Sequence, residues 1–277
     1  MQEDPLRFRP VPPQMPVTEG LAALPDTRLW YWDTGGDGDA IILVHPASGS
    51  SLIWGYQQPV FSQAGYRVVG YSRRGFYKSD PLSLENSGVA SEDLRHLADF
   101  LGIDKFHAVG SAAGSTIAAN FACSYPERLA SLTVSNNPCG LRQGGIAETY
   151  VAIRPEGWEN FPRWFWEVGP SYRAINPEGV KLWIELEHHS QAYGRSQSST
   201  RQISEADLEC LAVPTLLMTG SADLATPPSL LRMVARHIPD CTVEIVAEAG
   251  HSLYWERPDA FNKGVLDFIG RHPRKAE

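Results

Sequence analysis

Four polar clusters in this chain each follow a run of apolar residues, and each carries groups able to act on a bound molecule. "HPASGSS" follows "AIILV", "GSAAGS" follows "FHAV", "GSADLATP" follows "PTLLMT", and "AGHSLYWERPDAF" follows "TVEIVAE". In the last cluster His251 offers an imidazole that titrates near neutrality, so it can take a proton from one atom and return it to another. In the third, Asp223 follows Gly220 by three residues; its plainest reading is a turn or helix-capping aspartate before "LATPP". In the second, Gly110 and Gly114 flank Ala112 at the spacing of a sharp strand-to-helix turn, whose apex leaves no room for side chains two positions away. The group at that apex is a methyl, which cannot attack a carbonyl.

The elements that must position these clusters are legible from periodicity. "RLWYWD", "AIILVHP", "YRVVGYS", "FHAVG", "LASLTVS", "PTLLMTG" and "TVEIVAE" are short apolar runs of the kind expected for strands buried on both faces of a mostly parallel sheet. The first two are joined by "TGGDGD", which predicts a tight antiparallel hairpin. Ser91 is expected to cap a helix whose Leu94, Leu97 and Leu101 share one face and which Gly102 ends; Ile117 and Phe121 mark a second helix that stops near Pro126. Phe261, Val265, Phe268 and Ile269 mark a third, behind Pro258. Strands alternating with helices make an α/β sandwich, whose ligand sites gather at the carboxyl ends of strands. The first 27 residues are proline-rich and read as an arm over the body, with a short strand near Val17. From Leu141 to Ser204 the alternation stops, and Trp158, Phe161, Trp164, Phe165, Trp166, Tyr172, Trp183 and Tyr193 crowd together. This predicts a helical insertion whose aromatics serve mostly as core, a few of them lining an apolar pocket.

The order of these pieces, oxyanion loop, elbow, insertion, acid and histidine, resembles the α/β-hydrolase superfamily from Leu29 to Gly270. The resemblance implies an α/β-hydrolase fold: a mostly parallel sheet flanked by helices, with residues 1–140 and 205–277 as the core domain and 141–204 as a helical cap. It implies that Ala112 stands at the nucleophile position, that Asp223 fixes the tautomer of His251, and that His251 is the general base. The N–H groups of Ala47 and Ala113 match the oxyanion donors, although "HP" replaces the commoner "HG" before Ala47. Trp158, Trp164 and Trp183 are the candidate substrate contacts. The parent activity implied is hydrolysis of a small apolar or aromatic carboxylic ester or lactone.

Three accounts of Ala112 stay open at this level. One is an introduced Ser→Ala change in a serine hydrolase, which costs on the order of 10⁶ in turnover. Another is a natural enzyme in which His251 and Asp223 act without a covalent step, activating water or moving a proton on the substrate as a lyase, isomerase or cyclase does. The third is a ligand-binding protein on a retired hydrolase fold. Among neighbouring hydroxyls, Ser111 should point away, Ser115 lies on the first helical turn, and Ser48 in the oxyanion loop is the better substitute. Ser72 stands where the family usually has an aspartate, and Arg73 and Arg74 read as solvated or loop-bracing charges.

Composition narrows the partners. With 24 basic and 32 acidic residues the formal charge is −8, which repels nucleic acid and anionic membranes and leaves a small molecule as the expected partner, with a homodimer open. No stretch has the length and apolarity of a signal peptide or membrane span, which points to the cytoplasm. The four cysteines, Cys123, Cys139, Cys210 and Cys241, form no C-x-x-C pair and read as reduced, mostly buried thiols. "DTGGDGDA" has Val44 where a calcium loop from Asp33 needs a glutamate, and "ELEHHS" lacks H-E-x-x-H, so no metal is expected. No cofactor is implied, since neither G-x-G-x-x-G after a strand nor a P-loop is present.

Overall fold

The computed structural model describes residues 4–82, 87–190, 197–198 and 202–273; Tyr193 lies outside them. Eight strands, β1 (Thr18–Ala23), β2 (Arg28–Asp33), β3 (Ala40–Val44), β4 (Arg67–Tyr71), β5 (Phe106–Ser111), β6 (Leu129–Ser135), β7 (Thr215–Gly220) and β8 (Cys241–Val246), form one sheet. Their order is β1-β2-β4-β3-β5-β6-β7-β8. The pairs β1–β2 and β2–β4 are antiparallel and every other neighbouring pair is parallel.

All seven expected runs are strands, but the hairpin is not there. β4 lies between β2 and β3, so "TGGDGD" carries the chain across a neighbour and does not reverse it between paired strands. The loop is tied locally, with the Gly35 N–H donating to Asp33 Oδ1 at 2.8 Å and Asp33 in turn bound by Arg67 Nη2 at 2.6 Å. Turn composition fixes the local bend, whereas the partner of each strand is decided by which apolar faces must meet, and that is non-local.

The continuous apolar runs have a plain cause. Along β3, Ile41 and Leu43 belong to one buried cluster with Val68, Val109 and Met218, while Ile42 and Val44 belong to another with Ala108, Val134 and Leu217. Successive side chains point to opposite faces, so a strand covered on both sides needs an apolar residue at every position. The helix Ala90–Phe100 puts Leu94 and Leu97 into the second cluster. Its end is as expected: Gly102 takes φ +65°, its N–H donates to the Asp99 carbonyl, and the Ile103 N–H donates to that of Ala98. Its start is two residues earlier than a cap at Ser91 predicts. Val89 is the cap residue, and the Ala90 N–H is satisfied by the Ser198 carbonyl at 3.0 Å, a tertiary contact that local spacing cannot reveal.

The helices Ala113–Ser124 and Pro258–Ile269 also form where periodicity places them. The amino-terminal arm lies on the body through Met15 and Gln58, which exchange hydrogen bonds of 2.9 Å. Between β6 and β7 the described residues contain helices Gly144–Ala152, Arg163–Glu167, Pro170–Ile175, Pro177–His189 and Glu205–Glu209. All four thiols are free, but of the four expected to be mostly buried only Cys139 is; Cys123 and Cys241 are half-buried and Cys210 is exposed. Arg73 and Arg74 are buried, not solvated. Arg74 bridges Asp93 and Asp26 at 2.7 and 2.6 Å, so it braces the loop after β4. No helix among the described residues is long and apolar enough to cross a membrane.

Candidate active site

Five parallel strands each deliver a residue to one cavity from their carboxyl ends: Ala47 after β3, Ala112 after β5, Asn136 after β6, Ala225 after β7 and His251 after β8. The cavity holds about 280 Å³. Its position is the one an open α/β sheet favours, because loops there diverge from a rigid edge.

The turn after β5 is the sharpest part. Ala112 has φ +46° and ψ −114°, a conformation that costs a residue with a Cβ about 1–3 kcal/mol. Glycine is required on either side. A Cβ on Gly114 would lie 2.0 Å from the Val44 carbonyl oxygen, and one on Gly110 would lie 2.6 Å from Ser115 Cα. The helix Ala113–Ser124 then starts at the cavity, bringing the positive end of its dipole. Both Ala47 and Ala113 line the cavity, and among the described residues neither N–H is used in a hydrogen bond.

Asp223 accepts from His251 Nδ1 with both oxygens at 2.9 Å. Four further donors hold that carboxylate: Asn136 Nδ2 at 2.9 Å, Thr219 Oγ1 at 3.0 Å, and the N–H groups of Ala225 and Thr226 at 2.8 Å each. Burial opposes its charge, yet His251 and these donors outweigh that and hold Asp223 below the usual carboxylate range. Burial likewise opposes charge on His251, but the Asp223 carboxylate, with Glu167 behind it, raises its pKa above the ordinary 6.5. With Nδ1 committed to Asp223, Nε2 is the nitrogen left for chemistry in the cavity.

A second carboxylate clasps the histidine loop. Glu256 Oε2 accepts from the N–H groups of Gly250 at 2.9 Å and Gly169 at 3.0 Å, and Oε1 from that of Ser252 at 3.3 Å. It therefore ties the residues on both sides of His251 to the segment that follows Glu167. Burial pushes Glu256 up to about 7. Glu256→Ala leaves the buried N–H groups of Gly250 and Gly169 unpaired, each worth about 1–3 kcal/mol, while that of Ser252 keeps the Glu167 carbonyl. We expect urea denaturation to register a loss of about 3 kcal/mol; a loss under about 1 kcal/mol would mean that the clasp holds little.

Of the three expected tryptophan contacts, Trp158 lines the cavity. Trp183 does not. It is buried in the core with its Nε1–H donating to Ser252 Oγ at 3.1 Å, so it supports the histidine loop from behind. Nor does Trp164, which packs on the same core cluster, with the Arg173 guanidinium 5.8 Å from its ring. Trp166 takes their place, 5.7 Å from Trp158 and 6.0 Å from the His251 ring, centroid to centroid. In a helix as short as Arg163–Glu167, which aromatic faces the cavity depends on docking and not on a long apolar stripe.

Several wall residues carried no signal in the sequence. Arg142 and Arg154 both pack on the Tyr150 ring, with guanidinium carbons 3.8 and 3.3 Å from its centroid. Arg154 also donates to the carbonyls of Tyr150 at 2.6 Å and Ala225 at 3.0 Å. Burial, and the like charge of Arg142, hold Arg154 below the usual arginine value. Among the described residues neither arginine forms an ion pair with a carboxylate. The hydroxyls near Ala112 are otherwise engaged or turned away: Ser115 Oγ donates to the Ser135 carbonyl at 3.0 Å, Ser48 Oγ donates to Glu167, and Ser111 is fully buried outside the cavity lining. No group of three or more potential metal ligands occurs among the described residues.

Comparison with known proteins decides the family. A model described as "Alpha/beta hydrolase family" matches residues 41–263. The chain belongs to that family. Among curated members it is 26% identical, over 87% of its length and 91% of the relative's, to a 2-hydroxy-6-oxo-6-phenylhexa-2,4-dienoate hydrolase of Comamonas testosteroni. Among solved family structures it matches a thermophilic esterase from Thermogutta terrifontis with TM-score 0.77 and 21% identity, covering 93% of this chain and 100% of that one. The enol-lactonase from Burkholderia xenovorans LB400 matches with TM-score 0.73 and 21% identity, covering 91% and 100%. These likenesses make the fold that of an α/β-hydrolase, and the curated relatives of this hydrolase-family chain are hydrolases.

Proposed function

We propose that this chain hydrolyses small carboxylic esters or lactones that carry an anionic group, and that it does so without an acyl-enzyme. The observation that carries this reading is the Asp223–His251 pair opening on the same cavity as the methyl of Ala112, a position this reading takes as the family's nucleophile site. His251 Nε2 takes a proton from water, and the oxygen adds to the substrate carbonyl carbon. The Ala47 and Ala113 N–H groups, together with the helix terminus, meet the charge that develops on the carbonyl oxygen. The bond to the leaving group then breaks. Asp223 holds the imidazole in the tautomer that leaves Nε2 free as acceptor and stabilises the imidazolium that forms.

The anionic group follows from the wall. Arg142 and Arg154 sit in an acidic protein yet form no ion pair with a carboxylate among the described residues, and two neighbouring cations on one wall favour an anion beside them. Trp158 and Trp166 offer apolar area to the rest of the molecule. Both pairs come from the segment 141–204, which acts as the cap over the sheet edge. The dienoate in the name of the Comamonas relative is itself a carboxylate, which supports the same requirement.

The test compares the mono-4-nitrophenyl ester of glutaric acid with 4-nitrophenyl butyrate. The unmodified chain is expected to prefer the first, and Arg154→Gln to raise its KM about 30-fold or more. Equal use of both esters, with KM unmoved in the variant, would refute the anionic requirement. No turnover of either would refute the hydrolytic reading itself.

A further inference from the structure

One carboxyl on the cavity wall has no part in the pair that activates water. Glu167 ends the short helix Arg163–Glu167 and lines the same cavity as His251, yet only 4% of the residue is exposed. Its Oε2 accepts from Ser48 Oγ at 2.5 Å, and among the described residues it forms no ion pair; Arg163, on its own helix, pairs with Glu187 at 3.6 Å. Its backbone is fixed to the histidine loop, since the Ser252 N–H donates to the Glu167 carbonyl at 2.8 Å. Glu256 fastens the next turn by holding Gly169 to Gly250. Arg163 Nη1 donates to the Ala47 carbonyl at 3.1 Å, so the same short helix also grips the loop that carries the Ala47 N–H.

A purely structural carboxylate would be expected to have a cation or several N–H donors. Glu256 has three N–H donors, and Asp93 has Arg74. Glu167 has one hydroxyl, and it sits at a wall where substrate must lie. Burial pushes it up to about 7, against the opposing pull of His251, so it is able to carry a proton near neutrality. Asp223, bonded to His251, stays ionised. A carboxyl able to hold a proton, on the same cavity as a histidine whose partner carboxylate is ionised, is an arrangement that can divide acid from base work.

From this geometry we infer that Glu167 is a second catalytic residue, the general acid that protonates the leaving group. The inference rests on the hydrolytic reading above. Water gives a proton to His251 Nε2 and its oxygen bonds to the carbonyl carbon. As the tetrahedral species collapses, the bond from that carbon to the leaving oxygen breaks, and the oxygen takes the proton of the Glu167 carboxyl. The products are the acid and the alcohol. Imidazolium and glutamate return to their starting forms when His251 releases its proton and Glu167 takes one from solvent. One histidine can perform both transfers in turn, as in a serine enzyme; a carboxyl on the wall gives the leaving oxygen a proton donor of its own.

The leaving group distinguishes this from a structural role. Nitrophenolate departs without a proton, whereas ethoxide does not, so loss of the acid falls selectively on the ethyl ester. With the monoethyl and mono-4-nitrophenyl esters of glutaric acid, Glu167→Gln is expected to lower kcat for the ethyl ester by ~10² or more beyond any loss on the nitrophenyl ester. Ser48→Ala, which frees the carboxyl from its only side-chain donor among the described residues, should move the same ratio by about tenfold and serves as the readout if Glu167→Gln does not fold. Equal losses on both esters would assign Glu167 to structure alone and leave the hydrolytic reading standing. No turnover of either ester by the unmodified chain would overturn both.

Discussion

Replacing His251 by alanine is expected to cut turnover by ~10³ to 10⁴, the range a positioned general base contributes, with little change in KM. The imidazole makes its contribution only as the proton leaves water, so its removal strips transition-state stabilisation and leaves ground-state contacts in place. Asp223→Asn should cost about as much, because an amide in that place would favour the tautomer with the proton on Nε2. The pH profile carries the same signature. His251 must be neutral to accept a proton, and its pKa is raised above 6.5 by Asp223 despite burial, so activity rises with pH along a limb lying above that value.

Stability has the opposite slope there. Charged His251 is favoured in the fold, so its contribution is complete below 6.5 and is lost as pH climbs through the raised folded value. Asp223 contributes fully above 3.8, and that contribution is lost as pH falls through its lowered folded value. The pair therefore stabilises most between those limits, and denaturation measured against pH should lose this dependence in His251→Ala. A variant with wild-type turnover would show that another group is the base.

The second large effect is a change of mechanism. With serine at position 112 the family's covalent route becomes available, since the strained turn, the paired imidazole and the two free N–H groups are already in place. Ala112→Ser should release a burst of one nitrophenolate per chain from an ester and be labelled once by an organophosphonate, while the unmodified chain gives neither. Nucleophile loss in serine hydrolases is worth on the order of 10⁶, so the gain on activated esters should span several powers of ten. Labelling of the unmodified chain would reveal a different nucleophile. An intact variant with neither burst nor label would mean that His251 is not aimed at residue 112.

Much of this protein could be read locally. Every apolar run became a strand, because a sheet covered on both faces demands apolar residues at each position, and that demand is written in consecutive letters. The glycines around Ala112 were equally legible, since only backbone lacking a Cβ fits against Val44 and Ser115. The nearness of His251 to Asp223 followed from motif order in a known family, not from spacing, as 28 residues separate them.

Other features were settled only by the assembled fold. β4 displaced the expected hairpin because sheet order depends on which faces meet, and the Ser198 carbonyl moved a helix start that Ser91 had marked. Trp166 replaced Trp164 and Trp183 at the cavity because short helices have no stripe long enough to announce an orientation. Arg142, Arg154 and Glu167 are ordinary polar letters in the sequence. Their chemistry comes from burial and from neighbours brought from distant parts of the chain, and desolvation of that kind exists only once the chain has closed around them.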